Sequence, residues 1–198
     1  MRSGADLYTW LASLPPSERD PAVEAMLGVE ATSSASPGPH LVGHHMTGLG
    51  AIVRAIHEVP VRADDVVLDL GAGVGKLLAL VHLLTGARVR GVELQRELVD
   101  RSIDVANVRP GDARDCDLDA TVIFLYCPFD GPVLDEVSRR LDATKAVVCT
   151  LGVDLRCARL RPRARSDFWM TIWDAGEARI PLEMDPLAQA LAHERIDH

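Results

Sequence analysis

Asp69 stands just ahead of three glycines at alternate positions, Gly71, Gly73 and Gly75, in the stretch VVLDLGAGVGK over residues 66–76. Glycine takes positive φ and carries no Cβ, so a turn built this way lets backbone come close to a ligand. The apolar run ahead of it reads as a buried strand. In a doubly wound sheet, ligands gather where the first strand turns into the first helix. Glu93 closes a second strand-like run roughly 20 residues further on, the spacing at which an acid accepts both hydroxyls of a ribose. Glycine turn and acid together imply a nucleoside ligand.

The two commonest phosphate loops do not fit. A dinucleotide fingerprint, G-x-G-x-x-G, needs its third glycine where this chain has Lys76. A P-loop ends in Gly-Lys-Ser/Thr, whereas Gly75-Lys76 is followed by Leu77, which leaves no hydroxyl for magnesium. Asp69 would also face the negative phosphates, so a zwitterionic ligand fits better. Upstream, His44 and His45 sit in GPHLVGHHMTG. Imidazoles titrate near neutrality, so either could act as a base. Adjacent histidines lack a spaced carboxylate or third ligand, which argues against a metal site.

Alternating strand and helix patterns must position these groups. VVLDL (66–70), ARVRGVEL (87–94), a short strand around Val108, TVIFLY (121–126) and KAVVCTL (145–151) read as strands, and the apolar faces of TVIFLY suit a central parallel strand. GKLLALVHLLTG closed by Gly86, QRELVDRSIDVA with Leu98, Ile103 and Val105 as apolar positions, and PVLDEVSRRL read as helices. Right-handed crossovers then give an α/β fold, a doubly wound, mostly parallel sheet with helices on both faces. Beyond Gly152, DFWMTIW reads as a strand, ARIPLEM as a weaker one and PLAQALAHE as a short terminal helix. Ahead of the sheet, ADLYTWLASL and SERDPAVEAML are helical, and ATSSASPGPH reads as a linker. The expected organisation is a helical cap and linker over residues 1–40 and a main domain over 41–198. Thr47 is the expected cap of a helix over 48–58, and Tyr8 and Trp10 either close over the pocket or cover an edge of the core.

The chain has 198 residues, a net charge of −8 and a pI near 5.3. That balance argues against nucleic acid held through its phosphates. Arg156, Arg159, Arg161, Arg163 and Arg165 form the one basic run, read as a solvated loop in preference to an anion patch. Cys116, Cys127, Cys149 and Cys157 lack paired spacing and read as reduced thiols. No apolar run approaches the roughly 20 residues of a membrane span, and the N-terminus has no signal-peptide core, so a cytoplasmic protein is expected.

DLGAGVGK, GVEL, GDA and LYCPF, in that order, resemble the motifs of class I S-adenosylmethionine-dependent methyltransferases over roughly residues 40 to 175. The closest flavour is that of small bacterial and non-SET histone-lysine-type enzymes. The resemblance implies S-adenosyl-L-methionine as cofactor, with Asp69, Gly71, Ala72 and Gly73 at its methionine part and Gly75 completing the turn. Glu93 would hold the ribose, Leu94 would pack on the adenine, and Asp112, with Ala113 beside it, would accept from the adenine amino group. Tyr126 and Cys127 would line the site near the sulfonium, and Thr47, Cys127, Pro128 and Phe129 would face the acceptor. His44, His45 and Tyr126 are the candidate catalytic groups.

The chain departs from the pattern at Cys127, where relatives have Asn or Asp before the proline. Cysteine is a weak acceptor, which disfavours methylation of exocyclic or amide nitrogen. A small side chain making room for substrate explains it better than a nucleophile. The expected function is methyl transfer to a small-molecule or protein side-chain acceptor. A catalytically silent cofactor-binding domain acting through a partner is the alternative, and the sequence sets no oligomeric state.

Overall fold

Parallel strands β1 (Val66–Leu70), β2 (Arg88–Glu93), β3 (Val108–Pro110), β4 (Val122–Tyr126) and β5 (Val147–Leu151) carry the apolar runs. Two further strands, β6 (Arg161–Asp167) and β7 (Met170–Asp174), form an antiparallel hairpin, and β7 pairs antiparallel with β5. The seven strands run β3-β2-β1-β4-β5-β7-β6. The order reverses between β1 and β4, which opens a crevice at their carboxyl ends. The computed structural model describes residues 3–30, 33–167, 170–176, 179, 183–184 and 186–192.

Side-chain alternation along each strand feeds two cores. Val67, Val122 and Phe124 face α1 (Gly4–Ala12), α2 (Pro16–Leu27), α3 (Leu49–Glu58), α4 (Lys76–Thr85) and α7 (Pro186–Ala192). Leu68, Leu70, Ile123 and Leu125 face the other way, toward Val137 and Leu141 of α6 (Gly131–Leu141) and the loop carrying Leu155 and Leu160. Leu7, Leu11, Val23 and Leu27 of the first two helices lie in the same core as α3 and α4. The N-terminal helices are thus walls of the main core. Tyr8 and Trp10 pack against that core, and Tyr8 Oη lies 3.3 Å from His57 Nε2, which is the edge-covering role. Neither lines the cavity at the glycine turn.

Several sequence expectations shift. The helix expected over 95–106 is short, α5 (Arg96–Val99), followed by a 3-10 turn at Asp104–Ala106. Ile103 N–H donates to Val74 O at 3.0 Å, which draws the chain onto the glycine turn and breaks the helix. Val105, expected as an apolar face, is exposed. The β3–β4 connection carries no helix. Thr47 does not cap α3: the helix starts after Gly48, and its Leu49 N–H donates to the Asp20 carboxylate of α2 at 3.0 Å. The arginine run, expected as a loop, supplies most of β6. Charged side chains on an edge strand discourage pairing with another chain. Arg156 pairs with Asp135 at 3.0 Å and Arg163 with Asp174 at 2.5 Å. Phe168 and Trp169 of the expected DFWMTIW strand, and most of ARIPLEM, lie outside the described residues.

Candidate functional site

The glycine turn joins β1 to α4, and each glycine is required by something pressed against it. Gly71 (φ +85°) would place a Cβ 2.5 Å from Pro128 Cβ. Gly73 (φ +55°) lies under the His44 ring, 2.5 Å from Nδ1 for an added Cβ. Gly75 (φ +86°) is the left-handed residue that starts α4, against Ala106. The backbone donors of the turn are used within the protein. Gly71 N–H and Ala72 N–H both donate to Val92 O, at 2.9 and 3.1 Å, and Gly73 N–H donates to Glu93 Oε2 at 2.9 Å. The turn therefore offers a ligand its shape and its flanking acids more than its amides.

A cavity of about 250 Å³ opens at this turn. Asp69, Gly71, Ala72, Glu93, Leu94, Asp112, Ala113, Tyr126, Cys127, Pro128, Phe129, His44, His45 and Thr47 all line it. Gly73 and Gly75 do not, because the His44 ring and Ala106 cover them. The arginine run is also absent from the lining. Lys76 is the cationic side chain there, 3% exposed, with Nζ 2.5 Å from Asp20 and 2.8 Å from Glu24. Sequence reasoning missed this use of Lys76, since its partners lie more than 50 residues earlier.

Two acids set the electrostatics. Glu93 accepts Gly73 N–H with one carboxylate oxygen and Gln95 N–H with the other, at 2.7 Å. A carboxylate has about four lone-pair directions, so both oxygens keep capacity for a ligand. Asp69 is buried at the end of β1, and its Oδ1 has no hydrogen-bond partner. Burial, reinforced by the negative Glu93, pushes its carboxyl up to about 7. Asp112 instead caps the turn that follows it, with Arg114 N–H at 2.8 Å and the Arg114 guanidinium at 2.6 Å. Those bonds hold its carboxyl below the usual range. Leu94 is 46% exposed and presents an apolar side chain to the cavity.

A strap over residues 33–47 crosses the cavity. On one side Leu41 bridges Phe129, Val42 N–H donates to Pro128 O at 3.1 Å, and Asp130 N–H donates to His40 O at 2.9 Å. On the other, Ser34 Oγ donates to Gln95 Oε1 at 3.1 Å and accepts His44 N–H at 2.9 Å. The strap thus joins the described part of the expected linker, residues 33–40, to residues 41–47, which supply most of its cavity lining. Gly43 is needed because Ser34 O occupies the place of a Cβ. Burial lowers the His44 imidazole below its ordinary value, and its Nε2 is buried with no partner.

Cys127 follows β4 with a positive φ of 41°, a conformation that suits Asn or Asp better than Cys. Its thiol donates to Leu151 O at 3.1 Å, and Gly152 must be glycine because the sulfur fills the Cβ position. Burial raises the thiol, the reverse of an activated nucleophile. Tyr126 beside it is half-buried, and burial raises its phenol too.

Neither a protein-family model nor a curated protein sequence matches the chain. Solved structures do. An RNA methyltransferase from Salinibacter ruber, in complex with S-adenosyl-L-homocysteine, is similar with a TM-score of 0.58 and 26% identity, covering 71% of this chain and 99% of that one. A protein from Pyrococcus horikoshii is similar with a TM-score of 0.48 and 14% identity, covering 61% of this chain and 85% of that one. A dimethyladenosine transferase from Plasmodium falciparum follows at a TM-score of 0.46 and 16% identity, covering 55% and 43%. A seven-stranded sheet whose glycine turn and acids gather at the switch point gives this chain the fold of the class I S-adenosylmethionine-dependent methyltransferases.

Proposed function

We propose that the protein is an S-adenosylmethionine-dependent methyltransferase acting on a small-molecule or protein side-chain acceptor in the cytoplasm. The observation that carries this reading is the pair of acids at the glycine turn. Asp69 brings a buried, unpartnered oxygen suited to an ammonium group. Glu93 brings a fixed carboxylate suited to two ribose hydroxyls. An amino-acid-bearing nucleoside needs both. Leu94 and Ala113 supply apolar surface for an adenine, and Asp112 keeps a carboxylate beside it. Bound there, the cofactor supplies a carbon already activated by a sulfonium, so the chain's own part is alignment and proton removal.

The acceptor side is the end of β4, with Tyr126, Cys127, Pro128, Phe129 and Thr47. A base, where the acceptor carries a proton, comes from His45, exposed at the cavity; Tyr126, whose phenol burial keeps protonated, serves there as a hydrogen-bond donor. With its thiol committed to Leu151 O, Cys127 serves as a small spacer there. The Salinibacter enzyme favours a second reading, an RNA acceptor. Against it stand the net charge of −8 and a lining whose one Lys or Arg is already paired with Asp20 and Glu24. Calorimetry tests the reading: S-adenosylmethionine and S-adenosylhomocysteine should bind wild type, and Glu93→Ala should weaken both at least tenfold. Absence of binding to wild type rejects it. Binding without turnover of any small-molecule, protein or RNA acceptor leaves the silent domain as the function.

A further inference from the structure

Two buried polar atoms at the glycine turn lack partners, and they are of opposite character. Asp69 Oδ1 is an acceptor, and His44 Nε2 can donate in the tautomer that carries its proton there. Both side chains line the same cavity, and Glu93 lies in it with them, bonded to the Gly73 N–H beneath the His44 ring. Unpartnered buried polar atoms are rare in folded chains and call for an explanation. A ligand with an ammonium and a carboxylate on one carbon satisfies both at once.

Resting on the cofactor reading above, we propose that His44 is a cofactor-binding residue, donating from Nε2 to the carboxylate of the cofactor's amino-acid tail, and not the catalytic base. Its placement is fixed by three contacts to two residues, Gly73 and Ser34. The ring lies on Gly73. Its N–H donates to Ser34 Oγ and its carbonyl accepts Ser34 N–H at 3.2 Å. Ser34 is tied to Gln95, Gln95 N–H to Glu93, and Glu93 to Gly73 N–H. The circuit returns to the glycine on which the ring rests. Such a ring of contacts suits a static ligand-holding group better than a base that must meet varying acceptors. The acceptor-side residues 126–129 stand on the opposite flank of β1, where Pro128 packs on Gly71. Burial, which keeps the imidazole neutral at pH 7, fits a donor of one hydrogen bond. Ser34 and Gln95 are then positioning residues for that donor.

Two ligands separate this role from its rivals. S-adenosylhomocysteine carries the amino-acid tail, and 5′-methylthioadenosine keeps adenine, ribose and sulfur without it. Calorimetry should find that His44→Phe weakens S-adenosylhomocysteine about ten- to a hundredfold, the range for a hydrogen bond to a charged group, and leaves 5′-methylthioadenosine unchanged. His44→Gln, which keeps a donor, should restore most of the loss. Ser34→Ala should show a smaller loss with the same ligand selectivity. Equal weakening of both ligands would mean that the ring only packs or touches the ribose, and would overturn the proposal. Unchanged affinity for both would do the same. Failure of wild type to bind S-adenosylhomocysteine would reject the cofactor reading itself, and this proposal with it.

Discussion

Asp69 is the residue whose chemistry is easiest to follow by pH. Folding lifts its carboxyl from the ordinary 3.8 to about 7 through burial and the nearby Glu93 charge. An ammonium beside it favours the ionised form, so binding of S-adenosylhomocysteine below pH 7 should expel one proton. Affinity should then weaken up to tenfold per pH unit as pH falls below 7 and level off above it. Around His44 the titratable and charged neighbours are Glu93, His45 and Arg101, and burial favours the neutral ring, so Asp69 carries the dependence near pH 7. Calorimetry in buffers of different ionisation enthalpy reads the proton directly, and Asp69→Asn should abolish the release. The same shift bears on stability. A carboxyl with a raised folded pKa stabilises fully below about pH 4 and loses that contribution as pH rises through 7. Asp69→Asn, which never ionises, should therefore melt higher than wild type at pH 8, with the gap closing toward pH 4. A gap that widens on acidification would refute the assignment.

At the scale of elements, Asp20 joins α2 to both α3 and α4. Its carboxylate accepts Leu49 N–H and pairs with the Lys76 ammonium, which also reaches Glu24. Asp20→Ala should cost about 1–2 kcal/mol, the usual loss for removing a helix cap. Lys76→Ala should cost more, about 3 kcal/mol, since it leaves Glu24 half-buried without its cation. Denaturant midpoints at constant slope would measure both. Thr47 looked like the cap because local rules see only neighbouring residues, and Asp20 lies far up the chain. The same limit explains α5, which its own periodicity extended to Ala106 and which a tertiary bond from Ile103 to Val74 cut short. Strands β1, β4 and β5 were legible because each is a nearly continuous apolar run, and the glycine turn and acids because their spacing is local. The β6 edge was not, since five arginines in ten residues carry the composition of a loop while the backbone pairs with β7. Residues 31–40 read as a linker for a similar reason: Ser34 and the His40 carbonyl make hydrogen bonds to distant loops that no pattern announces.

Over the whole molecule, the strap ties the two flanks of the sheet together across the site. Its anchors are few: the Leu41–Phe129 bridge, backbone bonds to Pro128 and from Asp130 and the His40–Asp130 pair on one flank, the Ser34–Gln95 bond on the other. The site's floor, by contrast, rests on β1 and β4, buried except at Val66 and Tyr126. Local opening free energies follow the number of buried apolar contacts, so the strap should open far more readily than the sheet. A cofactor in the proposed site would be released more readily when the strap opens, and one that touches the strap would in turn hold it shut. Hydrogen exchange should therefore show amides of residues 40–46 exchanging faster than those of β1 and β4 in the free protein. Saturating S-adenosylhomocysteine should slow residues 40–46, by up to about a hundredfold at a hundredfold excess over Kd. Gln95→Ala removes one anchor without touching either core, so its melting temperature should stay within a few degrees of wild type. Stopped-flow dissociation of S-adenosylhomocysteine should accelerate several-fold in the same variant. Dissociation at the wild-type rate, with residues 40–46 still protected on binding, would show that the β4 flank alone holds the strap closed and that release runs past Gln95.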